Sequence, residues 1–272
     1  MSMEYKEFIF ETLKEAAEIA KKNFGKVSGI VKKDDTNQVL TETDVMIGKN
    51  IVDRIKKAYP KHNVIDEETG VINNRSLFTW VIDPIDGTSH FISGLPFFGT
   101  QIALLKDDLP IVGGLNLPFF EEIYFAERSI GTFCNGKRIK VSNETELVSI
   151  LASYGIDSHK EEPEFTIREM KVLGEIVSNI RNLRVTNSCY DAAMVASGKL
   201  GAYLHQSMKI WDIVPLQIVI EEAGGVVTDF YGRETNYKNH LNESEEHFTF
   251  CAASPILHKQ LQEIIHKSIT RV

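Results

Sequence analysis

Apolar residues recur at helical spacing through Phe8, Ile9, Leu13, Ala16, Ala17, Ile19 and Ala20, with charges between them. This is the stripe of an amphipathic helix over 8–24, and Gly25 suits its C-terminal cap. The stretch 27–40, broken by Lys32-Lys33-Asp34-Asp35, predicts a β-hairpin. A second helix is expected from an N-cap at Thr43 to about Ala58, closed by Pro60. Apolar runs over 78–82, 98–105, 111–116 and 122–125 predict strands, with turns at Asp107-Asp108 and Pro118. Helical periodicity returns over 164–179, over 188–197 before Gly198, and over 214–222, where Pro215 fits a first turn. The polar segment 237–247 has no period and reads as a surface loop, with His240 and His247 solvated. Strands and helices thus mix along the whole chain, without repeats or a clear linker, which predicts a layered α/β protein.

The strand over 78–82 runs into Trp80-Val-Ile-Asp83-Pro-Ile-Asp86-Gly87-Thr88-Ser89. Pro84 cannot donate to a ladder, so the strand is expected to stop there. Gly87 allows a close backbone approach, and Thr88 and Ser89 suit the start of a helix with free N–H groups pointing outward. A strand end, two carboxylates and a helix start together can hold hard cations and an anion. Two more acidic features stand apart: Asn63-Val-Ile-Asp66-Glu67-Glu68 upstream and Trp211-Asp212 far downstream. Singly, the first reads as a solvated loop and the second as a helix cap beside a buried Trp. Together they change meaning, because clustered carboxylates repel and so imply a bound cation. Oxygen donors without His or Cys favour Mg²⁺, Mn²⁺ or Ca²⁺ over zinc.

Composition narrows the function classes. The 272 residues can bury one large core or two subdomains. A formal net charge of −8 without any Lys/Arg-rich run argues against a nucleic-acid surface. No apolar run reaches the length of a bilayer span, and the first residues lack a basic segment followed by an apolar core, so neither a membrane anchor nor a signal peptide is expected. Cys134, Cys189 and Cys251 are odd in number and scattered, which suits reduced thiols in a cytoplasmic protein.

The set Asp66-Glu67-Glu68, Asp83-Pro-Ile-Asp86-Gly87-Thr88 and Trp211-Asp212, with Glu222-Ala-Gly-Gly225 after it, resembles the inositol monophosphatase family. Gln38-Val-Leu-Thr41-Glu-Thr-Asp44 resembles that family's Asp-Leu-Val-Thr-x-x-Asp segment, and Ala126 to Gly136 its Ala-x-x-Gly-x-x-x-Asn-Gly hairpin. The resemblance covers nearly the whole chain. It implies the αβαβα sandwich shared with fructose-1,6-bisphosphatase, with an N-terminal α+β part over 1–142, a C-terminal α/β part over 143–272, and one catalytic unit between them. It also implies a lithium-sensitive, Mg²⁺-dependent phosphomonoesterase acting on inositol monophosphate or a related small phosphorylated metabolite, as a cytoplasmic homodimer using two to three ions.

By the same resemblance Asp83 bridges two metals, Glu67 and the carbonyl of Ile85 complete one shell, and Asp86 and Asp212 hold the second ion. Thr88 and Asp44 form the water-activating relay, Gly87, Thr88 and Ser89 receive the phosphate, and Lys33 stands near the metals. Asp191 matches a substrate-hydroxyl ligand. The family's inositol-binding Glu falls on His205 here, an imidazole in place of a carboxylate. That departure leaves room for substrates with a further negative group, such as NADP or fructose 1,6-bisphosphate. Two other classes fit parts of the pattern: a carboxylate-pair glycosidase, and a non-catalytic metal-binding interaction protein. The glycosidase leaves the third, distant acid unexplained, and a scaffold needs no water-activating pair.

Overall fold

The computed structural model describes residues 3–26, 28–31, 39–157, 160 and 162–270. Helix α1 (Met3–Asn23) leads into two short antiparallel strands, β1 (Ile30–Val31) and β2 (Val39–Leu40), the base of the expected hairpin. The tip of that hairpin, Lys33 included, lies outside the described residues. Helix α2 (Glu42–Ala58) starts earlier than its periodicity suggests. Its N-cap is Thr41, not Thr43. The Thr41 hydroxyl accepts the N–H groups of Thr43 and Asp44 at 3.2 and 3.3 Å, while Asp44 Oδ2 accepts the Thr41 N–H at 2.9 Å. This reciprocal capping box outcompetes a cap at Thr43 because it satisfies both chain directions at once.

The first sheet contains β3 (Asn63–Asp66), β4 (Gly70–Ile72), β5 (Phe78–Asp86), β6 (Gly99–Lys106), β7 (Leu109–Leu117), β8 (Glu122–Glu127), β9 (Gly131–Cys134) and β10 (Lys137–Arg138). A short helix, α3 (Thr88–Ser93), follows β5. The strand order is β10-β9-β8-β7-β6-β5-β3-β4, antiparallel throughout except for β3 beside β5. Strand β5 does not stop at Pro84. It continues to Asp86 with a register shift against β6 between Asp83 and Asp86. A proline is tolerated at such an irregularity because no ladder N–H is needed there, and the Pro84 carbonyl instead accepts the Thr100 hydroxyl at 2.8 Å.

The second sheet is built from β11 (Leu151–Gly155), β12 (Asn182–Arg184), β13 (Ala202–Met208), β14 (Val226–Thr228) and β15 (Phe248–Ala253), in the order β12-β11-β13-β15-β14. Its first three strands are parallel, and β15 runs against β13 and β14. The intervening helices are α4 (Pro163–Val177), α5 (Cys189–Ala196), α6 (Ile210–Glu222) and the final α7 (Pro255–Thr270). Helix α6 begins at Ile210, so Pro215 is its sixth residue and lies within the helix, not in the first turn. Its missing N–H withholds the helical bond from the Trp211 carbonyl.

Three apolar clusters order these pieces into five layers. Helices α1 and α2 cover one face of the first sheet through Ile9, Leu13, Ile51 and Trp80. Helices α5 and α6 fill the space between the sheets, with Ala193, Val214 and Ile218 meeting Leu115 on one side and Tyr203 and Phe250 on the other. Helices α4 and α7 close the outer face of the second sheet through Ile176, Leu257 and Leu261. Helix α6 is apolar over most of its surface and is buried at nine of its thirteen residues. The αβαβα sandwich expected from the resemblance is therefore the architecture found.

The segment 237–247 departs from its reading as a solvated loop. His240 Nε2 lies 3.0 Å from Thr79 Oγ1 and Nδ1 lies 3.0 Å from Asp108, so the loop is tied to the first sheet. His247 Nδ1 lies 3.0 Å from Ser207 Oγ at the rim of a cleft between the sheets. Sequence polarity hid both contacts because each partner comes from a distant strand.

Candidate active site

A cleft of about 410 Å³ opens where the two sheets meet. Three chain segments supply its acidic floor, the end of β3, the irregular end of β5 and the start of α6, and the start of α3 lies beside them. In the second sheet, the C-terminal ends of the parallel strands β11 and β13 form the facing wall, which is where open α/β sheets bind ligands.

One oxygen each from Asp83, Asp86 and Asp212 lies within 4.8 Å of the others. Asp83 is buried, its Oδ2 receives the Gln101 amide at 3.4 Å, and its buried Oδ1 has no hydrogen-bond partner among the described residues. Burial, then the charges of Glu67, Asp86 and Asp212, hold its carboxyl well above the usual carboxylate range. Asp86 is pushed up to about 7, chiefly by burial, against the lowering effect of the Cys189 N–H that it accepts. Asp212 is also pushed up to about 7, by burial and then by Asp86. Its Oδ2 accepts the Lys209 N–H at 2.7 Å, so the cap of α6 is Lys209 and Asp212 stands inside the first turn.

Glu67 follows β3 and faces the cleft. Asp66 does not join it. Asp66 Oδ2 accepts the N–H and hydroxyl of Thr69 at 2.8 and 2.7 Å, and the carboxylate packs against Gly48 of α2. A Cβ on Gly48 would come within 2.9 Å of that oxygen. The acidic run is thus split by strand alternation, one acid inward and the next toward the cleft.

Thr88 Oγ1 lies 2.7 Å from the Ile85 carbonyl and 3.2 Å from Asp44 Oδ1. Asp44 is fully buried, and burial raises its carboxyl above the usual range against hydrogen bonds from Thr41 and Thr88. Gly87 precedes α3 with φ +84°, and a Cβ there would come 2.8 Å from the Phe97 carbonyl oxygen. The cap is this left-handed glycine, and Thr88 and Ser89 are already helical. Ile85, Gly87, Thr88 and Ser89 all line the cleft.

Two expected substrate residues sit differently. Asp191 is fully buried as the capping partner of α5: Oδ1 accepts the Ser153 hydroxyl at 2.7 Å and Oδ2 the Ser188 N–H at 3.1 Å. It is not among the residues that line the cleft. His205 does line the cleft but is buried, and both ring nitrogens are engaged. Nδ1 accepts the Ser207 N–H at 2.9 Å, and Nε2 lies 2.7 Å from Asn187 Oδ1. Its ring proton is directed at Asn187 Oδ1. Cys189 is buried beside Asp86, and burial pushes its thiol up, away from reactivity.

Residues not singled out by the sequence also face the cleft: His90, Asp157, Ser207 and Lys209. Lys209 Nζ donates to the Glu245 carbonyl at 2.5 Å and lies 3.4 Å from its carboxylate. Asp157 stands two residues beyond the end of β11, and the apolar run before it was the available signal.

Comparison with known proteins agrees with this geometry. The family model for the inositol monophosphatase family matches residues 2–271. A fructose-1,6-bisphosphatase/inositol-1-monophosphatase of Thermotoga maritima is 29% identical over 271 residues, covering 99% of both chains. A protein of the same description from Aquifex aeolicus is 33% identical over 214 residues, 78% of this chain and 80% of that one. The solved structure of a Thermotoga maritima IMPase superposes with a TM-score of 0.86 at 28% identity, covering 99% of each chain. The chain belongs to the inositol monophosphatase family, and it is a phosphoric monoester hydrolase of that type.

Proposed function

We propose that this protein hydrolyses inositol monophosphate or a closely related small polyol phosphate, with Mg²⁺ held by Glu67, Asp83, the Ile85 carbonyl, Asp86 and Asp212. The observation that carries this reading is the acid cluster itself. Asp83, Asp86 and Asp212 bring three oxygens within 4.8 Å, and one buried Asp83 oxygen has no hydrogen-bond partner among the described residues. Such a donor set, all oxygen and partly open to water, fits a hard divalent cation. When bound, two to three Mg²⁺ ions would neutralise the phosphate, lower the pKa of the attacking water and stabilise the leaving oxygen.

The chain's own groups do the rest. The backbone at Gly87, Thr88 and Ser89 orients the phosphate. Thr88 Oγ1, in reach of Asp44 Oδ1, takes the proton of the attacking water while passing its own to Asp44. The raised affinity of Asp44 for a proton suits that role. The segments 1–142 and 143–272 act as one catalytic unit, because the cluster draws Asp212 from the second and the remaining acids from the first.

Phosphate release from inositol 1-phosphate, measured with Mg²⁺ and with excess chelator, tests this reading. Turnover that survives chelation would overturn it. Lithium inhibition belongs to the same proposal, since Asp86 and Asp212 are retained, and a Li⁺ titration at fixed Mg²⁺ checks it. So do a cytoplasmic location and a homodimer, the latter checked by light scattering; among the described residues no helix is long and apolar enough to cross a membrane. A second reading, hydrolysis of fructose 1,6-bisphosphate, is favoured by the names of the two relatives and is scored in the same assay.

A further inference from the structure

His205, where the resemblance expects a carboxylate, anchors a chain of hydrogen bonds with one polarity. Ser207 donates its backbone N–H to His205 Nδ1 at 2.9 Å. Nε2 therefore carries the ring proton and faces Asn187 Oδ1 at 2.7 Å. The Asn187 amide in turn donates from Nδ2 to Asp157 Oδ1 at 3.0 Å. A backbone donor fixes one end and a carboxylate, which only accepts, fixes the other, so neither the imidazole nor the amide can be reversed without losing a bond. The second Asp157 oxygen lies 3.5 Å from His205 Nε2.

The backbone is shaped to this network. Gly155 is the register partner of His205 across the parallel pair β11 and β13. A Cβ on Gly155 would come 1.9 Å from His205 Cδ2 and 2.5 Å from Asn187 Oδ1. Asn187 itself sits at φ +57°, a conformation asparagine tolerates better than most residues. Three segments of the chain are thus spent on holding one carboxylate at the C-terminal edge of β11, in the wall of the cleft that faces the acid cluster.

We propose that Asp157 is the specificity-determining carboxylate of this enzyme, accepting hydrogen bonds from hydroxyl groups of a polyol or sugar phosphate. Asn187 and His205 act as its positioning residues. The inference rests on the phosphatase reading and deepens it. The negative charge lost at position 205 is restored from the neighbouring strand, so the cleft favours neutral, hydroxyl-rich substrates over those with a second phosphate.

The test compares kcat/KM for inositol 1-phosphate, fructose 1,6-bisphosphate and an aryl phosphate that has no hydroxyls, in the parent and in Asp157→Asn. Each value is divided by that of the aryl phosphate, so a general loss of stability or of metal cancels. The ratio for inositol 1-phosphate is expected to fall about tenfold or more, because a site built around a hydroxyl discriminates strongly when its partner group is altered. The ratio for the bisphosphate is expected to rise. His205→Gln should lower the inositol ratio through KM with kcat largely kept, the mark of a displaced ligand. Unchanged ratios in Asp157→Asn would overturn the inference while leaving the phosphatase reading intact. Equal loss toward all three substrates would overturn it too, by assigning Asp157 to the reacting centre or the fold. A parent that releases no phosphate from any of them with Mg²⁺ would sink the phosphatase reading, and this inference with it.

Discussion

Asp83 is buried, one of its oxygens has no hydrogen-bond partner among the described residues, and the charges of four other acids act on it. Such a group is held in place by the strand, not by its own contacts, since an isolated buried carboxylate is costly. Replacing it with asparagine therefore separates two roles. Asp83→Asn is expected to lower phosphate release by at least about a hundredfold, given that about 1.4 kcal/mol of lost transition-state stabilisation is tenfold and a metal pair supplies several kcal/mol. The same variant should melt at or above the parent temperature in chelator, because one repelling charge is gone. Activity within about tenfold of the parent at saturating Mg²⁺ would remove Asp83 from the bridging role. The motif around Asp83 was legible in the sequence because its residues are contiguous. The distinction between Asp66 and Glu67 was not, because which of two adjacent acids faces the cleft depends on the pairing of β3 with β5.

At the scale of elements, helix α4 carries an acid on its buried face. Glu169 is buried, and burial pushes its carboxyl to about 7 against a hydrogen bond from Tyr154. A carboxyl raised in the folded state contributes its stability fully below its unfolded value and loses it as pH rises through about 7. Glu169→Gln is thus expected to match the parent's stability near pH 5 and to exceed it at pH 8 by about 1–2 kcal/mol, seen as a higher melting temperature. Thermal melts at the two pH values decide it, and a gap that does not widen with pH would refute the assignment. Helices α1, α2 and α4 follow the apolar periodicity closely, since each presents one stripe to one sheet, whereas α7 was not read from the sequence. The start of α6 did not show, because a helix buried over most of its surface leaves few polar positions to set the period, and its capping acid doubles as a member of the cleft.

For the whole molecule, the acid cluster links stability to pH and to cations. Asp86 and Asp212 titrate near 7 in the folded protein without metal, so that form loses stability as pH rises through neutrality. A cation bound only by the native state adds about 2.7 kcal/mol at one hundred times its Kd. Saturating Mg²⁺ should therefore raise the melting temperature more at pH 8 than at pH 5.5, where protons compete for the same oxygens. An equal shift at both pH values would place cation binding elsewhere.

The sequence by itself determined the layered α/β class, the family and the principal acids, because these rest on local periodicity and on a contiguous motif. Only the tertiary structure decided which side chains meet across the two sheets. Asp191 turned inward as a helix cap, His205 became a fixed link between a backbone N–H and Asn187, and Asp157 reached the cleft wall. His240 and His247, polar residues in an aperiodic stretch, found partners on strands far away in the chain. Hydrogen-bond partners of this kind are chosen by register and by packing between layers, and neither leaves a period along the chain.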